Sequence, residues 1–204
     1  NGSFAHGLGV IPAFVMIKNR DSATDWGVYH KETGNDSYLI LNTNAAKATA
    51  GTMWQDTTPT SSSVYIGTNS KVNTDNEKYV CYSFAEVKGY SKFGTYRSNN
   101  NADGTFVYTG FSPAIILIKR TDSTGSWVLN DSTRNPTNQA NNTLVPNESW
   151  VESTNDYYAI DILSNGFKIR NNNPETGGSN TTNIYMAFAE HPFVSSEGVP
   201  CTAR

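Results

Sequence analysis

Cysteine is nearly missing: two in 204 residues, Cys81 inside a strand-like run and Cys201 near the C-terminus, too few for a disulfide framework or a thiolate metal site. Both break the repeat pattern set out below, so they read as unpaired. Histidine is scarce as well. His6, His30 and His191 stand alone, without the His-x-x-x-His spacing of a metal site, and no Ser or Cys sits in a G-x-S-x-G elbow. Charged residues make up only 16% of the chain, Lys and Arg are scattered singly, and the formal net charge is −3. No basic face is available to follow a phosphate backbone, so nucleic acid is not an expected partner. No apolar run approaches the ~18 residues of a membrane-spanning helix, and membrane insertion is not expected. No charged and apolar leader precedes the first strand-like run, so no secretory signal is read at the start.

Helical periodicity is hard to find too. Apolar residues fall instead in runs of roughly four to eight bounded by Gly, Pro, Asn or Asp, the strand pattern. Aromatics reach 12%, and the rest is rich in Asn, Thr, Ser and Gly, which suits short strands joined by polar turns. Strands are expected over 13–18, 27–30, 38–42, 64–67, 78–85, 93–96, 105–108, 114–120, 127–130, 158–163, 166–170 and 183–190. About a dozen short strands make a sandwich or barrel. Asn165-Gly166, following Ser164, predicts a hairpin. The Asn- and Gly-rich stretches 98–104 and 171–180 read as loops. Phe14-Val15-Met16-Ile17 and Ala114-Ile115-Ile116-Leu117-Ile118 are apolar at every position, which predicts strands covered on both faces.

The chain also repeats itself. Gly9, Pro12, Ala13, Ile17, Lys18, Asp21, Ser22 and Trp26 recur 101 positions later as Gly110, Pro113, Ala114, Ile118, Lys119, Asp122, Ser123 and Trp127. Each copy then closes on a matching run, VCYSFAE (80–86) and IYMAFAE (184–190). This predicts two homologous repeats, 1–94 and 95–204, packed together in an all-β sandwich. Duplication at that scale fits a structural or binding module, because an enzyme rarely needs its active site twice. Asp21 and Asp122, each following a strand, are expected to shape tight reversals through their own backbone N–H groups.

GLGVIPAFVMIKNRDSATDW, YSFAEVKGYSKFGTY, DGTFVYTGFSPAIILIKRTDSTGSW, LSNGFKI and IYMAFAEHPF together resemble a duplicated domain of tailed-bacteriophage virion proteins. The likeness runs through nearly the whole chain and keeps the motif order. It implies a lectin-like β-sandwich of jelly-roll or concanavalin type, found near the C-terminus of large tail or tail-fibre proteins, so that this chain reads as a C-terminal piece of something longer. It also implies a virion location, extracellular once assembled, with other tail proteins as partners and a part in host attachment. It supplies no catalytic residues.

Trp26 and Trp127 occupy equivalent places after the Asp-Ser turn and read as core plugs, with sugar stacking as the alternative. Trp54 and Trp150 lie in polar, poorly repeated surroundings, GTMWQDTTPT and NESWVESTND. They are the candidates for an exposed glycan platform, with Gln55, Asp56, Asn155 and Asp156 placed to satisfy sugar hydroxyls; the alternative is a loop Trp folded over a sandwich edge. Of Tyr157 and Tyr158, strand alternation predicts one ring inward and one outward. Glu86 and Glu190 end matching strands. Equivalent carboxylates should titrate alike, which a glycosidase pair must not, so they read as strand-end charges set to pair with Lys18 and Lys119. An Asp/Asn loop such as that around Asp21 and Asp25 could take calcium, but no EF-hand pattern is present, and no cofactor or metal is expected.

The favoured reading is a noncatalytic virion structural module that self-associates, a trimer suiting a fibre, and that contacts host-surface glycan through Trp54, Gln55, Asp56, Trp150, Asp156 and Tyr157. The alternative is a carbohydrate-binding or glycan-cleaving domain of an extracellular protein outside any virion, with Asp56 or Asp156 in its groove.

Overall fold

β-branched and aromatic runs cut by Gly, Asn and Asp leave the backbone little choice but short antiparallel strands. The computed structural model of the chain describes residues 1–192. They fall into two compact units, one spanning Asn1–Ala85 and the other beginning at Glu86. Cys201 lies outside the described residues. Cys81 is half-buried.

The first unit carries β1 (Gly2–Ala5), β2 (Pro12–Asn19), β3 (Gly27–His30), β4 (Ser37–Ile40), β5 (Ala48–Thr49), β6 (Ser63–Ile66) and β7 (Tyr79–Ala85). Between β5 and β6 lies a single helical turn, α1 (Gly51–Trp54). The large sheet runs β5-β4-β3-β2-β7, and β1 pairs with β6 in a separate ribbon. Every pairing is antiparallel. Val15, Ile17 and Tyr29 from the sheet meet Val64 of β6 and Met53 and Trp54 of α1 in one core cluster.

The second unit carries β8 (Ser91–Asn99), β9 (Phe106–Tyr108), β10 (Pro113–Arg120), β11 (Trp127–Asp131), β12 (Thr143–Leu144), β13 (Ile160–Leu163), β14 (Gly166–Ile169) and β15 (Ser179–Ala189). Its sheets run β12-β11-β10-β15-β8 and β13-β14-β9. The core between them holds Ile116 and Ile118 of β10, Phe167 of β14 and Tyr185 of β15. Phe167 meets Tyr96 and Tyr185 edge to face at centroid distances of 6.2 and 5.4 Å, each such pair contributing about 0.5–1.5 kcal/mol beyond its buried area.

Register matches between the units. Ile17 lies opposite Cys81 and Ile118 opposite Tyr185; Lys18 lies opposite Val80 and Lys119 opposite Ile184. Both pairings carry an irregularity at the same place, between Pro12 and Phe14 and between Pro113 and Ile115. The boundary expected at 94/95 falls inside β8, which pairs along its length with β15, so the division lies at 85/86 instead. Phe14 and Val15, neighbours on β2, are both buried, as are Ile116, Leu117 and Ile118 on β10. Strands apolar at every position are therefore covered on both faces.

The hairpin at Ser164-Asn165 forms as expected, with Leu163 opposite Gly166. Asp122 accepts its own backbone N–H, as expected, and also that of Thr182 at 2.9 Å. Asp21 differs in its partner: its Oδ2 accepts the N–H of Lys78 at 2.7 Å, so each ties its hairpin to the neighbouring strand run. In the first unit the turn itself is shaped by Asn19, whose Oδ1 accepts the N–H groups of Asp21 and Ser22. The paired tryptophans also differ. Trp127 is buried, whereas Trp26 is half-buried and stacks on the exposed ring of Tyr82 at 6.4 Å. Their backbones are held alike, each donating to an Asn side chain, Asn42 and Asn147.

Candidate functional site

Trp54 corrects the first half of the expected glycan platform. It is 1% exposed and meets Tyr29 edge to face at 5.9 Å. α1 explains the difference: one helical turn places Met53 and Trp54 on its inner side and leaves the polar neighbours outside. Gln55 then takes a left-handed backbone (φ 56°) that ends the turn. Its side-chain amide donates to the carbonyls of Gly2 at 2.6 Å and Ile66 at 2.7 Å, tying β1 to β6. Gln55 is thus committed to the fold. Asp56 is exposed, beside a buried Trp54 that offers no ring to a ligand.

The other three candidates lie in the second unit, Trp150 at one cleft and Asp156 at another, with Tyr157 bordering both. Asn155 caps a 3-10 turn over Asp156–Tyr158 by accepting the Tyr157 N–H at 2.9 Å. That turn, rather than strand alternation, sends Tyr158 inward and leaves Tyr157 50% exposed. The two rings meet edge to face at 4.7 Å. Tyr157, Trp150 (61% exposed) and Val151 (90% exposed) border a cleft of about 280 Å³ whose lining also includes Val145, Tyr158 and Glu175. Tyr158 donates its hydroxyl hydrogen to Glu175 at 2.7 Å, and the same carboxylate oxygen accepts the Ser126 N–H at 3.1 Å. Burial first, then the hydrogen bond and charge of Glu175, push the Tyr158 hydroxyl far above the ordinary tyrosine range. It therefore stays a neutral donor.

Tyr157 also borders a second, polar cleft of about 550 Å³ with Gln139, Asp156, Arg170, Asn172 and Pro174. Asp156 accepts from the Asn141 amide at 3.1 Å. Arg170 binds Asp103 at 2.7 Å and lies 3.3 Å from Asp161. Hydrogen bonding and charge from Lys168, with Arg170 adding to both, hold the Asp103 carboxyl below its ordinary value. One exposed ring thus separates an apolar cleft from a cleft of amides and paired charges. Such an arrangement can stack on the C–H face of a sugar while amide and carboxylate groups take its hydroxyls. The first cleft lies just below the ~300–1,000 Å³ range of ligand sites and the second lies within it.

Gln139, Arg170, Asn172, Val151 and Glu175 were not expected at the site. The run Asn171-Asn172-Asn173-Pro174 carried a signal only as a loop; nothing in its spacing ties it to Tyr157, which it meets through Asn173, whose amide donates to the Tyr157 carbonyl at 2.5 Å.

The remaining candidates have structural partners. Glu86 forms an ion pair with Lys92 at 2.5 Å, and Glu190 accepts from Ser112. Lys18 donates to the Thr24 carbonyl, and Lys119, which is fully buried, donates to that of Arg120. Asp25 binds Asn42 and lies 3.7 Å from Lys71. His30 is buried against Phe14, and His6 accepts the Leu8 N–H. Among the described residues no three His, Cys, Asp or Glu side chains are grouped to hold a metal ion.

Residues 1–192 match the model of a protein family described as a domain of unknown function, DUF7483, and the chain belongs to that family. No curated protein and no solved structure matches it.

Proposed function

We propose that this DUF7483 domain is a noncatalytic glycan-binding module, a C-terminal part of a bacteriophage tail or tail-fibre protein that contacts host-surface polysaccharide through Trp150, Asp156 and Tyr157. The observation that carries the binding assignment is the pair of exposed rings, Trp150 and Tyr157, bordering one cleft whose lining also holds the half-buried Tyr158–Glu175 hydrogen bond. Exposed apolar residues grouped in one patch, as Trp150, Val151 and Tyr157 are around this cleft, mark interaction surfaces. The virion assignment is supported by the motif resemblance through both halves of the sequence. The noncatalytic reading is supported by the ordinary structural ties of Glu86, Glu190 and Glu175.

Stacking on one or two rings gives weak affinity per site. A homo-oligomer, a trimer in a fibre, gains strength by presenting several copies to a repeating polysaccharide. The test is a glycan array followed by titration of the best hit against the parent chain, Trp150→Ala and Tyr157→Ala. Each substitution is expected to weaken binding about tenfold, equivalent to ~1.4 kcal/mol, with the melting temperature little changed. Binding that survives both substitutions discards the site. Release of oligosaccharide that is lost in Asp156→Ala favours a glycan-cleaving domain instead.

A further inference from the structure

Three aromatic side chains and one carboxylate, Trp150, Tyr157, Tyr158 and Glu175, line the smaller cleft of the second unit, and no Lys, Arg or His among the described residues joins them. The rings of Tyr157 and Tyr158 stand at 84° to one another with centroids 4.7 Å apart, two walls that meet nearly at a right angle. The face of an aromatic ring is the negative end of its quadrupole, so such walls attract positive charge.

The hydrogen bonding of Glu175 leaves an acceptor open beside them. Its Oε2 takes both the Tyr158 hydroxyl and the Ser126 N–H, while Oε1 has no hydrogen-bond partner among the described residues and is not sealed from solvent. Buried Lys119 acts on Glu175 by charge, and Arg120 next to it is paired with Asp122. Glu148 joins Glu175 in acting on the Tyr158 hydroxyl, so two carboxylates stand against one lysine and the local balance is negative. With the Tyr158 hydrogen already given to Glu175, the wall presents ring faces and a carboxylate oxygen. A bare ammonium is strongly hydrated and would find few acceptors here. An alkylated ammonium sheds its water more readily and lays its methyl groups on the rings.

We propose that this cleft seats an alkylammonium group, methylated at nitrogen, borne by the bound glycan, while the neighbouring polar cleft holds the sugar that carries it. This rests on the glycan-binding role proposed above and names the substituent recognised. Tyr157 borders both clefts, and the larger one is lined by Gln139, Arg170 and Asn172, side chains that donate to sugar hydroxyls. That second lining favours a glycan over a lipid headgroup as the carrier of the cation.

The experiment titrates the full chain at constant ionic strength with choline chloride and with neohexyl alcohol, in which carbon replaces the charged nitrogen, and follows the assigned amide resonances of Val151 and Tyr157. Choline is expected to give a saturable shift and to bind at least about tenfold more tightly than the alcohol. Glu175→Gln should weaken choline about tenfold and leave the alcohol unchanged. Trp150→Ala, at an exposed position that the fold tolerates, should weaken choline at least about fivefold. Equal affinity for the two probes, no saturable shift up to about 100 mM choline, or choline affinity unchanged in either folded variant overturns the proposal. Phosphatidylcholine vesicles that sediment the parent chain but not Trp150→Ala overturn the glycan as carrier. The glycan array separates this from the broader role: hits on neutral polysaccharide without choline binding keep the glycan role and overturn the cation, whereas choline binding with an empty array keeps the cation and overturns the glycan as its carrier.

Discussion

The Tyr158 hydroxyl donates to the Glu175 carboxylate at 2.7 Å directly beneath the cleft that Trp150 and Tyr157 border. Removing the donor by Tyr158→Phe leaves that half-buried oxygen with the Ser126 N–H. The loss should cost about 1.5–3 kcal/mol, the usual range for a hydrogen bond to a charged group, read as a lower midpoint in urea unfolding. Glycan affinity should fall less than in Tyr157→Ala, because the exposed ring keeps its place.

The same hydroxyl sets an alkaline limit. Tyr158 and Tyr96 are pushed far above the ordinary tyrosine range, both chiefly by burial, and Tyr29 is raised in the same direction by burial. An unfolded tyrosine ionises near pH ~10. Above that pH the unfolded state loses protons that the folded state keeps, so stability is complete below pH ~10 and falls as pH rises beyond it. Urea midpoints measured from pH 9 to 12 should drop steadily, and the drop should be shallower in Tyr158→Phe.

The acid side is governed by carboxylates held below their ordinary values. Glu77 is lowered by hydrogen bonds from Ser22 and then Asn19. For Asp122, burial works upward but is outweighed by hydrogen bonds from Arg120 and the Thr182 amide and by the Arg120 charge. Groups lowered in this way stabilise the fold above pH ~4 and lose that contribution as pH falls through their folded values. Thermal melts between pH 5 and pH 2 should show falling stability. Asp122→Ala should lower stability at pH 7 by about 1 kcal/mol and flatten the acid limb.

Trp54 and Trp150 should behave as opposites. Trp54→Ala empties a core site and is expected to cost about 3–5 kcal/mol, while Trp150→Ala should stay within about 0.5 kcal/mol of the parent. Acrylamide quenching should find Trp150 the most accessible indole, with Trp54 and Trp127 protected.

The contrast between these two residues marks how far the sequence could be read. Strand class, the β13–β14 hairpin and the doubly covered β2 and β10 were legible because period, turn residues and apolar runs act locally. Trp54 was not: polar neighbours in GTMWQDTTPT look the same whether the segment is a loop or a single helical turn, and only packing of Met53 and Trp54 against Tyr29 and Val64 decides it. Trp26 shows the same limit from the other side. It shares its motif with Trp127, but the exposure of each is set by strands far away in sequence. Around the polar cleft, Asp156 and Tyr157 were named as candidates from composition, whereas Arg170 and Asn172 reach it through the loop after β14, a relationship that no local pattern encodes.

Gly166 tests the close packing that the hairpin permits. A Cβ built there would lie 2.1 Å from the Val107 carbonyl oxygen, a backbone atom held in the β14–β9 ladder. Because neither strand can yield without breaking its pairing, Gly166→Ala should cost about 2–3 kcal/mol or more, at the severe end of overpacking. Gly7 is the control: it takes a φ of +71° with nothing near its missing Cβ, so Gly7→Ala should cost only about 1 kcal/mol of backbone strain. Matching urea midpoints for the two variants would mean that β9 and β14 move apart at no cost, contrary to the register in which Phe167 faces Val107.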